Sequence, residues 1–231
     1  MANLQSPLAH TELFDNTAPE EVWKEAVMIV RRINPGYDFT LVQKVYTDAL
    51  RVFYGEFPGY GPIRTLYHDL AHTLDVFMCG VRLMHGVHVS GDSLKDDEIT
   101  LIMLSMLMHD IGYAQRKGEE IGTGAQFTHT HVQRGIEFMT HYFHERTLPS
   151  DVLAEVSVMM LGTEHLRPFD QINFKNDRSR MLGQIVATAD IIGQMADRKY
   201  LEKLLFLYQE FNEAQFGNYR NMYDLICQTN R

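Results

Sequence analysis

Apolar residues recur at helical spacing along most of the chain. In APEEVWKEAVMIVRRI (Ala18 to Ile33) an apolar stripe follows Pro19, with Glu20 and Glu21 at one end and Arg31 and Arg32 at the other. This charge order suits a helix dipole, Thr17 is placed to cap the helix, and Asn34-Pro35-Gly36 stops it. FTLVQKVYTDALRVFYGEF repeats the pattern through Leu41, Val45, Ala49 and Phe53, and breaks at GEFPGYGP. A third helix is expected from about Thr65 to His85, burying Leu66, Leu70, Leu74 and Phe77. ITLIMLSMLMHDIGY is apolar on almost every side, which places that helix at the centre of the fold. Further helices are expected in HTHVQRGIEFMTHYFHER and near residues 150–162, 178–196, 199–214 and 218–228. No stretch keeps the alternating, β-branched pattern of a strand for long enough. The expectation is an all-α globule of eight or more helices.

With 231 residues, 45% of them hydrophobic, the chain can bury a large core, and one domain over residues 1–231 is the simplest arrangement. A net charge of -9 argues against nucleic acid or an anionic membrane as partner. Two cysteines, Cys79 and Cys227, are too few for a disulfide framework and fit a reducing compartment as core-packing thiols. There is no basic leader, and no apolar run nears the ~18 residues that span a bilayer, so a cytoplasmic location is expected. The run KDDE at 95–98 reads as a solvated helix start. Met103, Met106 and Met108 read as core filler, and the aromatic series around FLYQEF, with Phe216, Tyr219 and Tyr223, as packing of the last helices or a homodimer face. A pocket lined by some of these rings or by Tyr67 is the other reading.

Several polar residues do not belong in such a core. His68 and His72 stand at i and i+4, where one helix face would carry both, beside Asp69 and Asp75. His109-Asp110 follows the deepest apolar run, where an ionised aspartate costs several kcal/mol unless paired or bound to a metal. Asp190 lies in QIVATADIIGQMAD, among Ile185, Val186, Ala189, Ile191 and Ile192. A buried His–Asp hydrogen bond, a helix cap or a salt bridge to Arg180 or Arg198 would account for each taken singly. Together they supply imidazoles and carboxylates from three helices, a ligand mixture that suits one or two divalent ions: zinc, iron, manganese, nickel, cobalt or magnesium.

His72, the His109-Asp110 doublet and Asp190 resemble, in order and spacing, the H…HD…D signature of the HD-domain metal-dependent phosphohydrolases, over roughly residues 64–196. YHDLAHTLDV (Tyr67 to Val76) is similar to the YHNxxHAxDV signature of the class I cyclic-nucleotide phosphodiesterases in that superfamily. Asp69 stands here for asparagine and Thr73 for alanine. Ala114 falls where those enzymes have a further histidine. HVQRGIEFM from His131, and GTEH ending at His165, resemble segments of bacterial HD proteins, including the cyclic-dinucleotide hydrolases, whose histidines bind a second metal. Tyr113 takes the place of the lysine in their DIGK, with Arg116 and Lys117 nearby. The resemblance implies an all-α HD fold and His72, His109, Asp110, Asp190, His131 and His165 as metal ligands. It further implies hydrolysis of a phosphoester, of a nucleotide or cyclic nucleotide among others, by metal-activated water. Asp110 would bridge two ions and His68 would protonate the leaving oxygen. The alternatives are an HD-fold di-iron oxygenase on the same ligands, and a non-catalytic domain that binds a nucleotide or a protein.

Overall fold

The computed structural model describes residues 18–144, 150–165 and 167–228. Thr17, the expected cap of the first helix, lies outside them. Among the described residues there are nine α-helices and no strand: α1 (Pro19–Ile33), α2 (Thr40–Phe53), α3 (Leu70–Val89), α4 (Asp96–Met108), α5 (His131–His144), α6 (Ser150–Met160), α7 (Asp177–Ala196), α8 (Tyr200–Glu213) and α9 (Met222–Gln228). The all-α class expected from periodicity is what the chain adopts. None of these helices is long and apolar enough to cross a membrane.

Helix α4 is the central element. From Leu101 to Met108 every residue is buried, including Met103, Met106 and Met108, and the helix touches α2, α3, α5, α6 and α7. Its start departs from the expected solvated run, because Glu98 is buried while Lys95, Asp96 and Asp97 are exposed. Glu98 Oε2 accepts from the Lys95 backbone N–H at 2.9 Å, and both carboxylate oxygens take 2.7 Å bonds from the Arg178 guanidinium. A guanidinium fork from α7 therefore replaces water at the α4 N-terminus.

Among the described residues the most extensive helix packing is between α3 and α7. Gly193 permits it: a Cβ there would stand 3.0 Å from the Val76 backbone. That approach sets Asp190, one turn earlier on α7, against the first turn of α3.

Helix α3 begins later than its apolar pattern suggests. Asp69 is the N-cap, with extended backbone (φ -92°, ψ 178°), and its side chain accepts from the His72 N–H at 2.8 Å. A capping carboxylate starts the helix there, after a bend over residues 66–69, overriding a spacing that reaches back to Leu66, which is 48% exposed. His68 and His72 consequently do not share a helix face.

The C-terminal helices form a satellite. Leu204, Leu207, Phe211, Phe216 and Leu225 gather with Tyr67 into a second apolar cluster beside the main core. Cys79 is half-buried, whereas Cys227 is exposed, contrary to a packing role for both thiols.

Candidate metal centre

Four elements deliver the unusual polar residues to one spot. His72 comes from the first turn of α3, His109 and Asp110 from the end of α4 and the turn after it, His131 from the start of α5, and Asp190 from mid-α7. The Asp110 turn lies hard against α5 because residue 112 is glycine; a Cβ there would fall 1.8 Å from the His131 carbonyl oxygen. His72, His109 and Asp110 are buried and offer ligand atoms within 4.8 Å of one another. His109 Nε2 and His72 Nε2 stand 3.0 and 3.4 Å from Asp110 Oδ2. They lie 3.8 and 3.2 Å from Asp190 Oδ1. His131 Nε2 approaches the other Asp110 oxygen, Oδ1, at 3.8 Å.

The hydrogen bonds behind this cluster decide what it can hold. His109 Nδ1 lies 2.8 Å from the Met106 carbonyl and His131 Nδ1 2.8 Å from the Thr128 carbonyl. A carbonyl only accepts, so both Nδ1 atoms carry protons, and each neutral ring turns its Nε2 lone pair toward the aspartates. Asp110 Oδ2 is itself buried and receives no directed hydrogen bond. At His109 and His131 acceptors thus face acceptors, an arrangement that a positive centre among them would relieve. A proton on His109 is one answer. Burial opposes that charge, yet the Asp110 and Asp190 carboxylates outweigh it and push the His109 pKa up to about 9. The same burial opposes the charge on Asp110, and the surrounding imidazoles hold its carboxyl well below the usual range. His131 stays neutral, since burial first, and the charges of His68 and His109 next, lower its pKa against the pull of Asp110. A proton on His109 satisfies one oxygen; a cation among the rings and carboxylates would use every lone pair present.

His68 lies just outside this group, on the segment before α3. Its Nδ1 is 2.6 Å from Glu210 Oε2, while Glu210 Oε1 accepts from the Tyr67 backbone N–H, also at 2.6 Å. Burial works against a charge on His68, but Glu210 and then Asp110 raise its pKa overall. The Tyr113 ring is sandwiched between His68 (centroids 4.7 Å apart, 21° between planes) and His131 (4.5 Å, 13°). Tyr113 therefore sets the spacing of two imidazoles. Arg116 is paired to Glu137 at 3.0 Å, and Lys117 is exposed.

His165 is not drawn into the cluster. It is exposed on a cavity wall, 5.9 Å from the Phe216 ring, with no ion pair to either aspartate. Glu210 was missed in the sequence, although Leu204, Leu207 and Phe211 mark the buried stripe of α8 and residue 210 falls within it. Tyr113 gave no signal beyond its place next to the doublet.

A cavity of about 660 Å³ opens over the cluster, reaching from Asp110, Asp190 and His72 to residues of α8 and α9. A smaller recess of about 380 Å³ between α3 and α7, lined by Asp75, Cys79 and Arg82 among others, shares no residue with it and contains no imidazole. The chemistry is in the larger one.

No curated protein and no solved structure matches the chain. The family model described as Npun_R2479-like matches residues 60–121 and 117–228, a span that holds the whole cluster, His68 and Glu210. Over well more than half of its length, then, the chain belongs to the Npun_R2479-like family.

Proposed function

We propose that this protein is an HD-domain metal-dependent phosphohydrolase that cleaves a phosphoester of a small molecule, with a nucleotide among the candidates. The observation that carries the reading is the fixed orientation of His109 and His131. Their Nδ1 atoms are committed to backbone carbonyls, and their Nε2 lone pairs face the two oxygens of the buried Asp110, His109 toward Oδ2, which has no donor, and His131 toward Oδ1. His72, His109, Asp110 and Asp190 would hold a first divalent ion. Asp110 Oδ1 and His131 would contribute to a second, and His165 would need to turn inward to join it.

Bound divalent ions would lower the pKa of a water toward neutrality and neutralise charge on the phosphoryl oxygens. The rest falls to the chain itself. Asp110 presents one oxygen to each side of the cluster, so a single carboxylate can set the spacing of two charges. Glu210 holds His68 by Nδ1 and favours its protonated form, which leaves Nε2 to give a proton to the leaving oxygen. Tyr113, stacked between His68 and His131, keeps the acid at a fixed distance from the ligand side.

The test is His68→Ala, assayed on a chromogenic phosphoester with bound metal counted in parallel. The account predicts unchanged metal content with hydrolysis reduced by about 100-fold or more, the usual scale of general-acid catalysis. Hydrolysis at the wild-type rate would overturn the role of His68, and absence of hydrolysis in metal-loaded wild type across mono- and diesters would overturn the reading itself.

A further inference from the structure

The two ends of the large cavity differ in chemistry, and the difference bears on what it binds. At the near end stand Asp110, Asp190 and the imidazoles. At the far end the wall is Leu204, Leu207, Phe211, Phe216, Tyr219 and Leu225. Most of these make up the satellite apolar cluster, with Phe211 and Phe216 centred 4.7 Å apart and Tyr219 stacked on Phe211 at 5.7 Å and 19°. The core of the C-terminal helices thus doubles as a face of the cavity: Leu204 and Leu225 are covered, and the half-buried Tyr219 ring with the edges of Leu207, Phe211 and Phe216 is the apolar strip that a ligand would meet.

The charges point the same way. Among the described residues that line the cavity there is no lysine and one arginine, Arg167, whose Nε is held by Glu164 Oε2 at 2.5 Å. A ligand with several phosphates would bring its extra charges past Asp110, Asp190 and Glu164, with a single guanidinium already engaged. A single anionic phosphate needs no cation beyond those of the metal cluster. Gln194, on the wall, gives its Oε1 to the Tyr67 hydroxyl, so the amide N–H group is what it offers to a ligand acceptor.

We propose that the cavity takes an ester of a single phosphate whose apolar or aromatic body is seated against the α8–α9 wall. The phosphate end of this assignment rests on the hydrolase reading; the apolar end stands on the wall alone.

The test is equilibrium binding to the full chain at saturating free manganese, by calorimetry. The ligands are diphenyl phosphate, phenyl phosphate, ribose 5-phosphate and inorganic triphosphate. Diphenyl phosphate should bind about ten-fold more tightly than any of the others. Phe216→Ala should weaken it about ten-fold while ribose 5-phosphate changes less than about two-fold. If that variant fails to fold, Phe216→Leu keeps the apolar bulk and should cost about three-fold through the lost aromatic face. Tighter binding of triphosphate or ribose 5-phosphate, no binding of diphenyl phosphate, or indifference to both Phe216 variants would overturn the proposal. Turnover of bis(4-nitrophenyl) phosphate, followed separately, distinguishes the two readings. Preferred binding without turnover of this or any other mono- or diester would keep the apolar end of the assignment and defeat the hydrolase, while turnover of ribose 5-phosphate without the preference would do the reverse.

Discussion

Two buried carboxylates on the same helical scaffold are treated in opposite ways. Glu98, at the start of α4, has both oxygens filled by the Arg178 guanidinium, which also takes both oxygens of Asp92 at 2.8 Å. Asp110, just past the other end of α4, faces His72 and two imidazoles, His109 and His131, whose Nδ1 protons are spent on backbone carbonyls. The first site is closed, because a permanent cation is built into the chain. The second has no such permanent cation and could hold a metal ion in its place. Burial alone therefore does not separate a structural carboxylate from a functional one; the donors around it do.

The sharpest way to break this comparison is to neutralise the open site. Asp110→Asn should abolish retention of divalent metal through gel filtration, as read by elemental analysis, while the chelator-treated variant remains folded by circular dichroism. Retention at the wild-type level would mean that Asp110 is as closed as Glu98. Gly112→Ala comes next. Its Cβ would meet the His131 carbonyl at 1.8 Å and the Gly135 nitrogen at 2.7 Å, so the doublet turn must part from α5. A cost of about 3 kcal/mol in denaturant unfolding is expected, together with weakened binding of the second ion. An unaffected variant would show that the turn and α5 are not held in register.

At the closed site the pattern should invert. Arg178→Met should cost about 2 kcal/mol, discounted for the partial exposure of the guanidinium, and leave metal content unchanged. The pH dependence of that loss sharpens the contrast. The Arg178 hydrogen bonds outweigh burial and hold the Glu98 pKa below its ordinary 4.5. Stabilisation from a depressed carboxyl is fully present above the unfolded-state value and is lost as pH falls through the folded one. The melting-temperature gap between wild type and Arg178→Met should thus be constant from neutrality to about pH 5 and shrink toward about pH 3. A gap independent of pH would remove Glu98 from the explanation. The smallest effect is expected for Arg134→Met. That guanidinium donates to the Gly112 and Ala114 carbonyls at 2.9 Å and lies 3.6 Å from the centroid of the Phe127 ring, bracing the turn that carries Asp110. Metal affinity about ten-fold weaker, by competition with a fluorescent chelator, would fit a positioning role.

Much of this was legible in the sequence where periodicity and composition agree. The apolar run before His109 places α4 at the centre, and the residues from Pro19 and from Asp177 keep a helical period to their ends. Asp190 was singled out for apolar neighbours on every side, yet Ile191 and Ile192 point outward, so the anomaly came from one face of α7 only. The start of α3 is not legible from spacing, because leucines at 66, 70 and 74 extend the apolar period past the aspartate that caps the helix. Placing His68 on the bent segment before α3 is what allows Glu210, 142 residues away, to reach it. Contacts of that span follow from packing, and no local pattern announces them; a carboxylate on a buried stripe was the one available sign.

The central claim is that the acceptors around Asp110 await a divalent cation. The most direct test is elemental analysis of untagged protein purified without chelators, before and after incubation with manganese, zinc or iron. The account predicts one or two ions per chain, lost in Asp110→Asn. No bound metal under any of these conditions would contradict it and leave His109-Asp110 as a buried ion pair.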